Sequence, residues 1–164
     1  MTPAQLTFPG RDGPVDACVE EPAGARRAVV VVADPDDPGA AEEQRGALVE
    51  AGFSVAWLPP AHLDATRGIP RAEDLAALLG QLFVSSHATV GVVAAGTSCP
   101  VAVASVEGAH DLVAAAVLVG AADDALDATH EALVPIVPLD AAVAPAAVVQ
   151  ALSEQFDAGA AVAR

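Results

Sequence analysis

The sequence contains no lysine, and this absence removes several kinds of chemistry at once. All seven basic residues are arginine and stand against 22 acidic residues, so the formal net charge is −15 over 164 residues. Without lysine the chain has no Schiff-base nucleophile, no lysine general base and no phosphate-binding P-loop. So acidic a chain repels phosphate backbones and anionic lipid, and we therefore expect neither nucleic acid nor a membrane as its partner.

Aromatic residues and cysteines are also scarce. Aromatics make up 3% of the chain, whereas hydrophobic residues, largely Ala and Val, make up 54%. Cys18 and Cys99 lack metal-ligand spacing and are interpreted as two thiols in a reducing cytoplasm. The N-terminal residues have no signal-peptide pattern, so we expect a cytoplasmic protein. We expect no cofactor, and the Ala-, Val- and Arg-rich composition suggests a high-GC bacterial genome.

The hydrophobic pattern predicts alternating strands and helices. The uncharged stretch from Leu75 to Val106 is interrupted by polar residues, glycine and proline, which favours helix, strand and helix over a membrane span. An N-terminal hairpin comes first, formed by Leu6–Phe8 and Val15–Glu20. The further predicted strands are Ala28–Ala33, Phe53–Leu58, Thr89–Ala95, Leu112–Gly120 and Val134–Leu139. The predicted helices cover about Ala40–Ala51, Ala72–Phe83, Ser98–Glu107, Asp123–Ala132 and Ala146–Phe156.

Helical connections between buried, β-branched strands require a mostly parallel sheet. The sequence therefore predicts one α/β domain over residues 1–164, a doubly wound sheet with helices on both faces and an N-terminal β-hairpin.

The segment T-V-G-V-V-A-A-G-T-S-C-P-V-A from Thr89 to Ala102 predicts a strand, a tight turn of small residues and a helix. It is preceded by E-A-G-F-S-V-A-W-L-P and followed by D-L-V-A-A-A-V-L-V-G and V-P-I-V-P-L-D-A-A-V-A-P. In this order the segments resemble the dienelactone-hydrolase branch of the α/β-hydrolases, from about Leu6 to Leu152. The resemblance implies that fold in a reduced form, without a cap domain.

The resemblance also implies a nucleophile in the turn after the third buried strand, a histidine base and an orienting acid. One register places Gly96 at the nucleophile position, and the other places Ser98 there, with Thr97 and Cys99 beside it. Asp140 stands near the position of the acid. No histidine follows Asp140, where the family keeps its base.

Only His62, of the four histidines, follows a predicted strand at the edge where such sheets bind ligands. It is the candidate for a displaced base, although a solvated loop histidine is the simpler interpretation. The other three are predicted at the opposite rim or near the connection to the last strand; they are His87, His110 and His130.

The loop after the first buried strand reads A-D-P-D-D-P-G, where the family carries His and Gly that help to stabilise an oxyanion. Asp34, Asp36 and Asp37 would oppose developing negative charge, and the two prolines provide no N–H donor. With nucleophile, base and oxyanion donors all altered, we predict a catalytically lapsed hydrolase that acts as a binding or assembly module.

Two enzymatic alternatives remain open at this point. Ser98 or Cys99 would hydrolyse a small ester, thioester or lactone, with His62 or a partner subunit supplying the base. Alternatively, the pocket would serve an isomerase, lyase or cyclase of a biosynthetic pathway. A further alternative is a Mg²⁺ or Ca²⁺ site formed by Asp34, Asp36 and Asp37.

The expected partners are a second copy of the chain or another protein. A sheet that ends early leaves an exposed edge strand, which association would protect. Helical segments rich in small residues, Val101–Ser105 and Ala146–Ala151, would also allow close packing. A small-molecule ligand is expected at the carboxyl-terminal edge of the sheet.

Overall fold

The computed structural model describes residues 2–86, 89–129 and 132–162. Its strands are β1 (Ala4–Gly10), β2 (Gly13–Glu20), β3 (Arg27–Val32), β4 (Phe53–Trp57), β5 (Val90–Ala95), β6 (Val113–Val119) and β7 (Ile136–Leu139). Its helices are α1 (Pro38–Glu50), α2 (Ala72–Ser86), α3 (Cys99–Gly108), α4 (Asp123–Asp127) and α5 (Pro145–Val162). Short 3₁₀ turns cover Pro60–His62, Gly96–Ser98 and His110–Leu112.

The seven strands form one sheet in the order β1-β2-β4-β3-β5-β6-β7. β1 and β2 are an antiparallel hairpin, and β2 also pairs antiparallel with β4. The remaining neighbours are all parallel, for example Val30 beside Val92 and Ala94 beside Leu118. The predicted mostly parallel sheet with an N-terminal hairpin is therefore confirmed.

Helices cover both faces of this sheet, as predicted. The alternation within β3 sends Val29 and Val31 to the core under α1 and α5, whereas Val30 and Val32 enter the core under α2 and α3. A continuous run of valines suits this position because a central parallel strand is buried on both faces.

Two helices differ most in length from the sequence prediction. The helix expected over Asp123–Ala132 ends at Asp127, and Thr129 Oγ1 donates 2.7 Å to the carbonyl oxygen of Leu126 just beyond its end. The last helix is longer than expected and continues to Val162. Gly159 disfavours a helix interior, but the alanines on either side of it favour one.

The two edge strands are β1 and β7. β7 has only four residues, which include Pro138, and both features reduce the capacity of an edge strand to pair with another chain. Within the described part of the chain, no helix is both long and apolar enough to cross a membrane.

The strand order reverses between β3 and β5, which are neighbours although α1, β4 and α2 separate them in the chain. α1 leaves the end of β3 on one face of the sheet, and α3 leaves the end of β5 on the other. A crevice opens at such a point in α/β sheets, and it is where their ligands bind.

Candidate active-site cleft

Gly96 is the first residue after β5 and forms the sharp turn into α3. Its φ of +53° lies in the left-handed region, which favours glycine. The turn Gly96–Ser98 follows, and α3 begins at Cys99. Gly96 thus occupies the apex of the strand–turn–helix at which an α/β-hydrolase exposes its nucleophile.

The carboxylate of Asp34 fills the space beside Gly96. A Cβ atom added to Gly96 would overlap Asp34 Oδ2 and lie 2.5 Å from Asp34 Cγ. Oδ1 of the same carboxylate accepts hydrogen bonds from Thr97 Oγ1 at 3.2 Å and from the backbone N–H of Asp36 at 3.1 Å. Asp34 is therefore fixed at the point where any side chain at position 96 would begin.

Ser98 lies below this apex and is fully buried. Its Oγ is within 2.7 Å of the carbonyl oxygen of Ala95 and 3.2 Å of that of Val32, and it accepts from the N–H of Ala95 at 3.3 Å. The hydroxyl group thus connects the end of β5, the end of β3 and the start of α3, and it is used in backbone hydrogen bonds.

Cys99 is also fully buried, and its Sγ lies 3.9 Å from the carbonyl oxygen of Val119. Burial raises the pKa of this thiol to about 11, and the negative charge of Asp34 adds to the increase. At neutral pH the side chain is therefore the thiol and not the nucleophilic thiolate.

His62 and Asp140 lie apart from Ser98. His62, in the turn after β4, accepts a hydrogen bond at Nε2 from the backbone N–H of Asp16 in β2 at 3.2 Å. It borders a separate cavity of about 480 Å³ together with Asp64. Asp140 is exposed after β7. In the described part of the chain, no hydrogen bond joins any two of Ser98, His62 and Asp140.

His110 is not part of the cleft. His110 precedes β6 on the opposite rim, as predicted, where its Nε2 lies 3.2 Å from Asp111 Oδ1. His87 and His130 lie outside the described residues.

The loop between β3 and α1 uses its N–H groups internally. Asp37 Oδ1 accepts from the N–H of Ala40 at 3.2 Å and caps α1, while the N–H of Asp37 bonds to the carbonyl oxygen of Asp34. The N–H of Asp36 bonds to the Asp34 carboxylate. These three donors are occupied, and Pro35 has none to offer.

Among residues 2–86, 89–129 and 132–162, no three His, Cys, Asp or Glu side chains come together in a way that could hold a metal ion. The alternative of a Mg²⁺ or Ca²⁺ site formed by Asp34, Asp36 and Asp37 is therefore not supported by the geometry of these side chains. Asp64, in the loop after β4, accepts hydrogen bonds at Oδ1 from the backbone N–H groups of Thr66 and Arg67, and these bonds lower its pKa.

A cleft of about 160 Å³ lies at the ends of β3, β5, β6 and β7. Its polar lining consists of Asp34, Asp37, Glu43 and Gln44. Its other lining residues are small or apolar; they are Ala40, Ala95, Gly96, Val119, Gly120, Ala141, Val143 and Pro145.

Sequence reasoning did not single out Gln44, which is only 5% exposed. A signal was present: in α1 it lies three residues after Ala41 and four before Leu48, the two other buried positions of the helix. A glutamine on the buried stripe of a helix indicates a polar contact beneath it.

Solved structures similar to this one include several hydrolases. Dienelactone hydrolase from Anabaena variabilis aligns over 95% of this chain and 98% of its own, with a TM-score of 0.69 and 17% identity. The esterase domain of a Rhodothermus marinus protein covers 74% of this chain and 51% of its own, with a TM-score of 0.59 and 20% identity. An esterase from Pyrobaculum calidifontis covers 73% of this chain and 45% of its own, with a TM-score of 0.56 and 20% identity.

The chain thus spans about half the length of the two esterases and nearly all of the dienelactone hydrolase. No family model and no curated protein sequence matches it. The structural alignment with dienelactone hydrolase over 95% of the chain establishes the architecture: the protein has the α/β-hydrolase fold.

Proposed function

We propose that this protein is an α/β-hydrolase-fold protein without hydrolase activity, which works by binding at the cleft beside Gly96. The observation that carries the proposal is the position of Asp34. Its carboxylate fills the space that a nucleophilic side chain at the elbow would need. A fixed negative charge there also opposes the oxyanion that forms during acyl transfer.

The two neighbouring nucleophile candidates support the same conclusion. Ser98 is buried and its hydroxyl is engaged with backbone groups of two strands. Cys99 is buried with a raised thiol pKa. Neither has an imidazole within hydrogen-bonding distance in the described part of the chain, and nucleophilic catalysis on this fold needs one.

The loop after β3 supports it independently. In an active enzyme this loop and the residue after the nucleophile supply N–H groups to the oxyanion. Here the N–H groups of Asp36, Asp37 and Ala40 are bonded within the loop itself. Binding of a small molecule, by contrast, needs only the shaped cleft.

The test is the intact mass of the protein after exposure to a fluorophosphonate serine probe, with an active α/β-hydrolase labelled in parallel. We expect no adduct on the folded wild type and none on Ser98→Ala or His62→Ala. An adduct that disappears in Ser98→Ala would overturn the proposal and make Ser98 a working nucleophile. Its additional loss in His62→Ala would identify a displaced base.

The proposal includes a prediction that the protein associates with a second copy of itself or with another protein. The small-residue helices are the surfaces expected to pair, with a second copy or with another protein, because the short, proline-containing edge strand β7 is poorly suited to pairing. Light scattering after size exclusion tests it: a dimeric mass supports the homodimer, and a monomeric mass at high concentration excludes it.

A further inference from the structure

The carboxamide of Gln44 has no hydrogen-bond partner among the described residues. The residue is 95% buried in α1, since only 5% of it is exposed. Its carboxamide has no hydrogen bond to any described residue, and it borders the cleft, so its polar atoms keep access to that space. Polar groups in native proteins have partners, so water or a ligand in the cleft completes the hydrogen bonding of this carboxamide.

The carboxylate of Asp34 has a free atom on the same cleft. Its Oδ1 is used by Thr97 and by the N–H of Asp36, whereas Oδ2 lies over Gly96 without a donor among the described residues. No described arginine forms a salt bridge with it. Arg45 in α1 instead stacks on Trp57, with its guanidinium carbon 4.6 Å from the ring centroid.

The remaining lining gives the cleft its charge and its size. Asp37 and Glu43 add two more carboxylates beside Asp34 and Gln44, while Val119 and Val143 are apolar. The cleft of about 160 Å³ suits a small ligand. The net charge of the chain draws cations towards it.

From these contacts we propose that the cleft binds a small organic cation, an alkylammonium or alkylguanidinium ion. Its N–H donors bond to Asp34 Oδ2 and to the carboxamide oxygen of Gln44, and its short alkyl chain lies against the apolar side chains. Such charge-assisted hydrogen bonds are among the stronger ones available to a small ligand. The inference rests on the proposed function, since it names what the cleft binds in place of an ester.

The experiment is a titration of isotope-labelled protein, followed by nitrogen–proton correlation NMR. The probes are n-butylammonium and n-butylguanidinium, with n-butanol and butyrate as neutral and anionic probes of similar shape, and Mg²⁺ as a simple cation. Titration continues to about 100 mM, because small fragments bind with millimolar constants. We expect the two organic cations to shift the amide signals of Gly96 and Gly120, and the other three probes to leave them unchanged.

Three variants locate the binding. Asp34→Asn should weaken binding of the cations at least about tenfold, as expected for loss of one charged hydrogen bond. Gln44→Leu, of similar size but without the amide, should weaken it about threefold to tenfold. Glu42→Gln is the matched control: it changes the net charge by the same amount from an exposed position on α1 outside the cleft lining, and it should stay within about twofold of wild type.

Absence of shifts, equal shifts with butanol or butyrate, or binding that survives both Asp34→Asn and Gln44→Leu would overturn the inference. Mg²⁺ shifts at the same signals would replace the organic cation with a metal ion. These results are separate from the probe labelling. A serine adduct without cation binding ends both proposals, whereas no adduct and no cation binding leaves the non-catalytic fold and removes only this ligand.

Discussion

Thr97 Oγ1 donates a hydrogen bond of 3.2 Å to Oδ1 of Asp34, which lies 63 residues earlier in the chain. The contact joins the turn after β5 to the loop after β3. It directs the second carboxylate oxygen of Asp34 towards Gly96. The elbow is thus closed by a side chain from the loop that follows the neighbouring strand β3.

Thr97→Val removes the donor from this contact with little change in shape. We expect a loss of about 0.5–1.5 kcal/mol in the free energy of unfolding, near the lower limit because Thr97 is exposed. Thr97→Ser keeps the hydroxyl and should keep the stability. Urea denaturation measures both. In an Asp34→Ala background Thr97→Val should have no effect, and an undiminished loss there would assign the stability to some other contact of Thr97.

Gly96→Ala should be among the costly surface-turn substitutions of this protein. The positive φ costs about 1–3 kcal/mol, and the overlap of the new Cβ with Asp34 adds about 1–3 kcal/mol. Gly52→Ala is the matched control, because Gly52 also has a positive φ of +89° but has open space around it. It should show only the backbone cost.

The double variant Asp34→Ala/Gly96→Ala separates the two causes. Without the carboxylate, Gly96→Ala should cost no more than Gly52→Ala, which corresponds to a coupling of about 1–3 kcal/mol between positions 34 and 96. Urea midpoints of the four proteins in the cycle give this number. A coupling near zero would mean that Asp34 moves away from Gly96 without cost.

The raised pKa of Cys99 predicts a specific alkaline weakness. The unfolded chain releases the thiol proton near pH 9.0, whereas the folded protein holds it until about pH 11. The folded state therefore binds more protons in this window, and the free energy of unfolding falls as the pH rises through it. Below pH 9.0 both states are protonated at Cys99 and the residue contributes no pH dependence.

The composition makes this effect measurable. The chain has no lysine and no tyrosine, and arginine stays charged throughout, so thiols dominate the titration between pH 9.0 and about 11. Urea denaturation across that range should show a declining stability that Cys99→Ala abolishes and Cys18→Ala preserves. A decline that disappears with Cys18→Ala instead would assign the perturbed thiol to β2.

Much of the fold was predictable because its causes are local. The valine run of β3 indicates a strand buried on both faces, and Gly52, with its positive φ, ends α1 as its position in the sequence predicts. The order of these elements was sufficient to predict a mostly parallel sheet. The ends of α4 and α5 could not be predicted, since a few residues of weak propensity decide where those helices stop.

The cleft was less predictable because its contacts join distant segments. Gly96 and Ser98 both fit the sequence pattern of an elbow, and only the backbone places Gly96 at the apex and Ser98 beneath it. His62 does follow a strand at the expected edge. That strand is β4, which β3 separates from β5, so the imidazole meets β2 instead.

Ser98→Ala distinguishes a structural serine from a catalytic one by stability alone. The hydroxyl group connects β3, β5 and α3, and its removal leaves buried backbone groups short of a partner, so we expect a loss of about 1–3 kcal/mol in the free energy of unfolding.

Ser105→Ala is the matched control: Ser105 is equally buried in α3, but its Oγ bonds only to the carbonyl oxygen of Ala102 in its own helix. That carbonyl also belongs to the helix ladder, so Ser105→Ala should change stability by less than about 0.5 kcal/mol. Removal of a catalytic side chain tends to leave stability unchanged or to increase it, because active sites are built at some expense to folding. An unchanged or increased urea midpoint for Ser98→Ala would therefore count against the structural role and in favour of the nucleophile.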